Sequence, residues 1–435
     1  MTAKPTRVVA IIQARMGSSR LAGKVLLDIA KKPVLWHVIN RVSQARTLDG
    51  VVVATTLDKE DDTIKDYCKK SGIPVFRGST NDVLDRFYKC AKQHELTDIV
   101  RITADCPMHD PDVIDFAVGE YLKGGYDYLS LPIGTELPEG LDVEVFSFSA
   151  LETAWRDAKL PSEREHVTPY IIKSGRFKTK LLHPKKKYLP YRLTLDNPED
   201  YDFMKKFYDG IGKGMFHLDE IMQYLEKHQE LLKINQHIPM NEGYKKSLGD
   251  DRRYLAKQAL VEHKTKITGE RICLRELTEK DATMKYCSWL NDPETNKFLE
   301  TKNATIESLR KYIQERRVDD NCLFLGIFSK ETKSHIGNIK LEPIDFESEK
   351  ATLGVLIGDK GYWGKGIGTE AVQLLVVYAF EDLGLKRIEL GVISGNKVAI
   401  SCYQKAGFKI DRVEKRAKKV DDVWYDSLFM SVEKT

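Results

Sequence analysis

Between Arg7 and Leu195, short β-branched runs alternate with amphipathic stretches, and this rhythm stops before the chain is half read. The strand candidates are Val8–Gln13, Gly50–Thr55, Pro74–Phe76, Ile99–Thr103, Tyr126–Ser130, Asp142–Phe148 and Tyr191–Leu195. Helical patterns fill the gaps at Pro33–Gln44, Asp61–Ser71, Asp82–His94, Pro111–Lys123 and Ser162–Ser174, with Asn81, Asp110 and Ser162 as caps. Such alternation predicts a mostly parallel sheet covered on both faces, with ligands gathering where the strands end. Helices are expected to continue at Asn197–Tyr208 and Leu218–Leu232.

From Ile238 to Glu270 large apolar groups become sparse and charges dense, as in Lys245-Lys246 and Asp250-Asp251-Arg252-Arg253. This stretch reads as a solvated linker, with one short helix over Tyr254–His263. The second half has a different grammar. It runs through a strand at Ile272–Arg275, helices near Ala282–Leu290 and Ile306–Arg316, and antiparallel-looking strands at Leu323–Phe328, His335–Glu342 and Ala351–Ile357. A helix Thr369–Leu383, a strand Arg387–Val392, a helix Lys397–Lys405 and two last strands complete a mixed α+β domain. The expected organisation is an α/β domain over 1–240, a linker over 241–268 and an α+β domain over 269–435, each domain folding independently.

A chain of 435 residues exceeds the usual size of a single core, which agrees with two domains. Its 69 basic and 65 acidic side chains leave a formal charge of +4, too small to indicate a nucleic-acid partner. The 7 cysteines are scattered, with no CxxC pair, and read as reduced thiols in a cytoplasmic protein. The apolar run Val8–Ile12 is too short for a signal peptide, and Ala371–Phe380 is too short to span a bilayer. No membrane association is expected, and a homodimer is compatible with the sequence.

The loop Gln13-Ala14-Arg15-Met16-Gly17-Ser18-Ser19-Arg20-Leu21-Ala22-Gly23-Lys24 follows the first strand. Small residues let backbone N–H groups converge on an anion, while Arg15, Arg20 and Lys24 bring positive charge. That suits a nucleoside triphosphate, although a basic surface turn has the same composition. The spacing is not that of a P-loop, because Val25 follows the lysine. Asp105 and Asp196 each follow a strand, where a carboxylate holds Mg²⁺ against phosphate oxygens or simply caps a helix.

These segments, with Pro74–Ser79, Arg101–Pro107, Glu139–Val145, Ser162–Tyr170 and Arg192–Asp200, resemble the bacterial cytidylyltransferases of spore-coat polysaccharide synthesis and sialic-acid-like sugar activation. The resemblance covers roughly the first 230 residues and implies a nucleotide-diphospho-sugar transferase-like, Rossmann-type sheet. It places Arg15 and Lys24 in triphosphate-binding catalytic roles, Gly17, Ser18 and Arg20 in the same cradle, and Asp105 and Asp196 as metal ligands. Ala22 stands where the family usually has proline. The implied reaction joins an α-keto sugar acid to CTP with release of pyrophosphate. Arg164 and His166 face the sugar carboxylate on this reading, or else pair with Glu163 and Glu165 on a solvated helix.

In the second half, Gly361-Tyr362-Trp363-Gly364-Lys365-Gly366-Ile367-Gly368 stands directly before an apolar helix. Alternate glycines permit tight curvature, and the helix start presents its positive end to the same point, which makes a pyrophosphate cradle. With Trp289–Pro293, Ile336–Ile339, Leu383–Leu385 and Asn396–Phe408, the half resembles the Gcn5-related N-acetyltransferases, in the branch of ribosomal-protein and pseudaminic-pathway enzymes. That resemblance implies acetyl-coenzyme A between Ala351–Ile357 and Arg387–Val392. Gly364, Lys365, Gly366 and Gly368 would hold its pyrophosphate, Asn396 would contact it, and Tyr403 would protonate the leaving thiolate. A base is drawn from Glu342, His335 or a water relay, and Cys402 reads as a structural thiol.

Taken together, these readings predict a bifunctional enzyme. One domain would activate a nonulosonic acid with CTP and Mg²⁺, and the other would N-acetylate an amino-sugar intermediate. Two alternatives stand beside it. One is activation of another sugar or polyol with acetylation of a protein or small amine; the other is an assembly protein built on retired domains.

Overall fold

The computed structural model describes residues 6–18, 20–212, 214–262, 265–299, 303–420 and 422–434. Ser19 of the first loop and His263 of the expected linker helix lie outside the described residues. The chain forms two compact units, Met1–Leu248 and Gly249–Thr435.

In the first unit the strands are β1 (Val8–Gln13), β2 (Gly50–Thr56), β3 (Val75–Gly78), β4 (Asp98–Thr103), β5 (Tyr128–Ser130), β6 (Glu144–Ser147) and β7 (Thr179–Leu181). They lie in the order β3-β2-β1-β4-β6-β5-β7. β1 pairs in parallel with β2 and β4, while β6 runs antiparallel to β4 and β5. The unbroken apolar run of β1 follows from burial on two sides. Val8, Ala10 and Ile12 enter one core, and Val9 and Ile11 the other.

Helices α1 (Val34–Val42), α2 (Asp62–Lys70) and α4 (Pro111–Gly124) supply the first core through Leu35, Val38, Ile64 and Ile114. Helices α3 (Val83–Gln93) and α5 (Phe148–Asp157) supply the second through Leu84, Phe87 and Leu151. A third cluster gathers Leu193, Leu195, Phe203, Phe207 and Phe216 around α8 (Pro198–Ile211) and α9 (Leu218–Lys227).

Four expectations for this unit need correction. Tyr191–Leu195 is not a strand: it makes a single bridge, Glu139 to Arg192, and its N–H groups serve loop carbonyls, Leu193 to Glu139 and Leu195 to Asp105. The expected helix Ser162–Ser174 is two, α6 (Pro161–His166) and α7 (Pro169–Lys173), because Val167 at φ 71° and the proline at the start of α7 break the ladder. Nor is Ser162 its cap, since the Glu163 carboxylate takes the N–H groups of Lys159 and Leu160. At α3 the cap is Asp82 rather than Asn81.

The stretch read as a linker is also ordered. A short α10 (Gln229–Leu232) precedes α11 (Glu242–Val261), and Lys266–Thr268 is a strand, β8. Helix-forming Lys, Leu, Arg, Ala and Gln side chains dominate α11. Two of its apolar residues, Ala256 and Leu260, are buried in the core of the second unit, while Leu248 and Leu255 are exposed.

The second unit adds β9 (Ile272–Glu276), β10 (Leu323–Ser329), β11 (His335–Asp345), β12 (Lys350–Ile357), β13 (Arg387–Ile393), β14 (Lys409–Val420) and β15 (Val423–Glu433). The order is β8-β9-β10-β11-β12-β13-β15-β14. Neighbours are antiparallel except β12 and β13, which pair in parallel only at Lys350–Thr352 with Arg387–Glu389. Beyond that point the two strands part. Along β11, Ile339, Leu341 and Ile344 enter the core beneath α14 (Ile367–Glu381), while Asn338 and Lys340 face the opposite side, as a period of two demands. That side is covered by α12 (Met284–Asn291) and α13 (Ile306–Arg317); α15 (Lys397–Lys405) follows β13.

Gly140 holds the loop before β6 in place. It sits at φ 99°, and a Cβ there would lie 2.4 Å from the Leu193 carbonyl oxygen. Gly140→Ala is expected to destabilise the first unit by about 2 kcal/mol or more, through backbone strain and that collision. Gly125→Ala, at a helix end with open space, should cost about 1 kcal/mol or less. Denaturant titrations giving equal losses would refute the assignment.

Candidate active sites

The first site lies at the carboxyl ends of β1 and β4. After β1 the chain turns through Ala14–Gly23 and enters a 3₁₀ turn, Lys24–Leu26. The turn is tied by the Gly23 N–H to the Met16 carbonyl at 3.0 Å, and the Met16 N–H reaches the Asp61 carboxylate at 2.6 Å. Gly23 takes a left-handed φ of 66°. Lys24 is thereby directed inward. Its ammonium sits 2.5 Å from Asp105 Oδ2 and 2.7 Å from Asp196 Oδ1.

Burial opposes the charge on Lys24, but Asp105 and Asp196 outweigh it and raise its pKa. Burial likewise opposes ionisation of Asp105, and Lys24 more than compensates, holding that carboxyl below the usual carboxylate range. Arg20 reaches Asp196 at 2.9 Å and Glu242 at 2.6 Å.

Arg15, Gly17, Ser18, Arg20, Lys24, Asp105 and Asp196 all line one cavity of about 350 Å³. Arg164 does not join them: its guanidinium binds Asp82 and the Trp155 carbonyl, and it braces α6 instead. Glu165 and His166 do reach the cavity. His166 bonds Ser247 Oγ at 2.9 Å.

Sequence reasoning assigned no role to several residues that build this site. Arg192 is 5% exposed and binds Glu139 at 2.9 Å, Asp200 at 2.9 Å and Asp196 at 3.2 Å. Asp200 also accepts the N–H groups of Asp196 and Asn197, which positions Asp196 at the start of α8. Arg101, Asp142 and the segment Asn241–Tyr244 complete the wall. Arg101 interrupts an otherwise apolar strand, a visible signal; nothing local marks Asn241–Tyr244.

The second site is the cleft opened where β12 and β13 part. A cavity of about 560 Å³ is lined there by Leu353–Leu356 and Gly391–Ile393, with Asn396 and Tyr403 at its edge and Tyr286, Tyr312 and Phe324 across it. Asn396 caps α15 by accepting the Ala399 N–H at 3.2 Å. Tyr403 is 7% exposed, and burial pushes its phenol well above the ordinary value.

Gly364, Lys365, Gly366 and Gly368 lie before and within the first turn of α14 and outside the lining of this cavity. Gly364 and Gly366 hold φ of 69° and 76°, and among the described residues no side-chain cap is seen at the start of the helix, which leaves its first N–H groups for a ligand. Glu342 does not line the cavity. It is paired with Lys340 at 2.5 Å and Arg316 at 3.2 Å. His335 is also withdrawn, stacked on Phe328. Burial raises the Cys402 thiol pKa, which leaves it a poor nucleophile.

The fold and these two cavities define a bifunctional transferase, with a nucleotide-transferring domain followed by an acetyl-transferring one. The chain belongs to the cytidylyltransferase family, whose model matches residues 9–234, and residues 271–409 match the acetyltransferase (GNAT) domain model. It is 34% identical over 219 residues to the spore coat polysaccharide biosynthesis protein SpsF of Bacillus subtilis, covering 47% of this chain and 88% of that protein. To 3-deoxy-manno-octulosonate cytidylyltransferase of Anaeromyxobacter sp. (strain K) it is 34% identical over 122 residues, 27% of this chain and 48% of the relative. In the second half, the probable N-acetyltransferase YjcK of B. subtilis is 37% identical over 132 residues, 29% of this chain and 72% of the relative. Among the described residues no helix is long and apolar enough to cross a membrane.

Asp142 offers a test of the first cavity's electrostatics. Burial pushes its carboxyl up to about 6, and the Gly140 N–H offsets only part of that. The folded state therefore holds the proton more tightly than the unfolded chain, and stability falls as pH rises from about 4 to about 6. Asp142→Asn keeps the acceptor for Gly140 and removes the charge. It should stabilise the unit by about 1–2 kcal/mol above pH 6 and by nothing below pH 4. A pH-independent difference in melting would contradict the buried-carboxyl account.

Proposed function

We propose that the first domain activates an α-keto sugar acid of the nonulosonic class with CTP, and that the second N-acetylates an amino-sugar intermediate. The observation that carries the first half is the convergence of Asp105 and Asp196 on the Lys24 ammonium beneath the Arg15–Arg20 loop. The similarity to a spore coat polysaccharide biosynthesis protein and to a 3-deoxy-manno-octulosonate cytidylyltransferase supports the substrate class.

In the nucleotidyl step a sugar hydroxyl oxygen attacks the α-phosphorus of CTP. A new P–O bond forms, the bond to the β-phosphate oxygen breaks, and pyrophosphate leaves with its electron pair. The hydroxyl proton passes to solvent. Arg15, Arg20 and Lys24 neutralise the triphosphate, and the N–H groups near Gly17 and Ser18 orient it. Asp105 and Asp196 fit a divalent ion, because oxygens from both carboxylates already approach one cation within hydrogen-bonding distance. When bound, Mg²⁺ adds charge neutralisation at the phosphates and lowers the pKa of the attacking hydroxyl.

In the acetyl step the amine nitrogen attacks the thioester carbon, the C–S bond breaks and the sulfur takes a proton. Tyr403, which lines the cavity, supplies it: a phenol is protonated at neutral pH and is reprotonated from water. The excess amine proton leaves to solvent. Acetyl-coenzyme A enters where β12 and β13 separate, with its pyrophosphate at the uncapped start of α14. On this reading the enzyme works in the cytoplasm, where CTP and acetyl-coenzyme A are available.

Two assays test the pair. Pyrophosphate release from CTP with a panel of keto sugar acids should need Mg²⁺, vanish in EDTA, and fall about 100-fold or more in Asp105→Ala with unchanged melting. Full activity in EDTA removes the metal assignment. Coenzyme A release with amino sugars should fall about 100-fold in Tyr403→Phe, with acetyl-coenzyme A binding retained. An undiminished rate removes Tyr403 from the acid role.

A further inference from the structure

The acetyltransferase cavity contains one buried polar donor without a partner. Asn338, in the middle of β11, is 5% exposed and lines the cavity, and its Nδ2 has no hydrogen-bond partner among the described residues. The orientation of its amide follows from its neighbour. His335 Nε2 lies 2.9 Å from the Gly337 carbonyl oxygen and 2.9 Å from Asn338 Oδ1. A carbonyl oxygen only accepts, so Nε2 carries the proton. The atom of Asn338 facing that proton must then be its oxygen, and the NH₂ is turned away from His335. His335 is itself held among Tyr286, Trp289 and Phe328. An amide N–H buried without a partner costs about 1–3 kcal/mol, which a ligand oxygen would recover.

Lys340 stands two residues along on the same face and lines the same cavity. Its ammonium is held by Glu342 at 2.5 Å and by the Tyr312 hydroxyl at 3.3 Å. Arg316 shares Glu342 at 3.2 Å and also reaches Glu315 at 3.4 Å, and of this mixed cluster only Lys340 lines the cavity. Among the described lining residues Lys340 is the one charged side chain, and no carboxylate is present to hold a cationic tail.

Resting on the reading of this domain as an amino-sugar N-acetyltransferase, we propose that Asn338 and Lys340 read the acceptor. Asn338 Nδ2 donates to a hydroxyl or carbonyl oxygen next to the reacting amine, and the Lys340 ammonium takes a negatively charged group farther along the molecule. The acceptor is thus an oxygen-bearing, anionic amine, a description that a nucleotide-linked amino sugar meets and a polyamine does not. Glu342 and His335 are positioning residues: one steadies Lys340, the other turns the Asn338 amide.

The experiment follows acetyl transfer by the full chain from acetyl-coenzyme A to a UDP-linked amino sugar, an amino-terminal peptide and spermidine, with variants Asn338→Ala, Asn338→Asp and Lys340→Met. The amino sugar should be used best. Asn338→Ala should raise its KM about 10-fold or more and leave the KM for acetyl-coenzyme A within about twofold. Asn338→Asp should be worse than Ala wherever the acceptor presents a carbonyl oxygen, because a second carboxylate oxygen then faces it, whereas a hydroxyl can turn its proton to the carboxylate. Lys340→Met should raise the KM of the UDP-linked sugar while sparing that of an uncharged amino sugar.

A purely structural Asn338 would lower the melting temperature on substitution without this KM pattern, and that result overturns the proposal. So does preferential use of spermidine. Use of the peptide alone, with the Asp variant again worse than Ala, sinks the amino-sugar reading and leaves the role of Asn338 intact. If the amino sugar is acetylated but neither position affects its KM, the reading survives and this inference falls. Turnover of none of the three acceptors rejects both.

Discussion

A buried guanidinium organises the first active site. Arg192 is held on three sides by Glu139, Asp196 and Asp200, and each contact fixes a different part of the surroundings. Through Glu139 it anchors the loop carrying Gly140 and Asp142, and the second oxygen of Glu139 accepts the Asn241 N–H. Through Asp200 it fixes the start of α8, and directly it orients Asp196. Burial works against its charge, but the three carboxylates more than compensate and raise its pKa. Removing Arg192 would leave three carboxylates without their shared counter-charge, a loss of about 3–5 kcal/mol. Asp196, the carboxylate proposed to hold a metal, is thus fixed by Arg192 and Asp200.

The second unit achieves preorganisation with backbone alone. A sheet whose strands stay paired offers no room for a cofactor between them. Here β12 and β13 pair at one end and diverge at the other, while β13 keeps a continuous partner in β15 from Arg387 to Ile393. The N–H and C=O groups freed on the facing edges line the cavity, ready for an extended amide-bearing ligand. Side chains then differentiate its ends, Tyr403 and Asn396 on one side and the polar row of β11 on the other.

Much of this was legible in the residues. The apolar period along β1, β4 and α14 specified buried strands and helices within a residue or two, and Lys397–Lys405 is a helix with those same limits. The basic loop and both aspartates do meet at one cavity, although only Asp105 follows a strand; Asp196 stands in the loop that starts α8. Long-range charge pairing was not legible. Nothing in the order of residues says that Arg192 binds Glu139, or that Arg164 is consumed by Asp82 and cannot face a ligand. The helix α11 was also missed, because its charged residues dominate the local composition while its core contacts, Ala256 and Leu260, lie near one end. Glu342 looked available for catalysis until its two cationic neighbours were seen.

That helix has a consequence for anyone dissecting the chain. The division between units falls inside α11, between Leu248 and Gly249. A scissor cut at residue 240 would amputate Glu242, Gly243 and Tyr244 from the nucleotide cavity and free Arg20 from Glu242. A fragment starting at 265 would lack Ala256 and Leu260 and expose the apolar surface they cover in the acetyltransferase core. Each cut would remove residues that line a cavity or fill a core of the remaining half. A gene fusion whose joint lies between domains can be undone by trimming; here the seam is woven into both fabrics, and separating them demands that each half keep a share of the same helix.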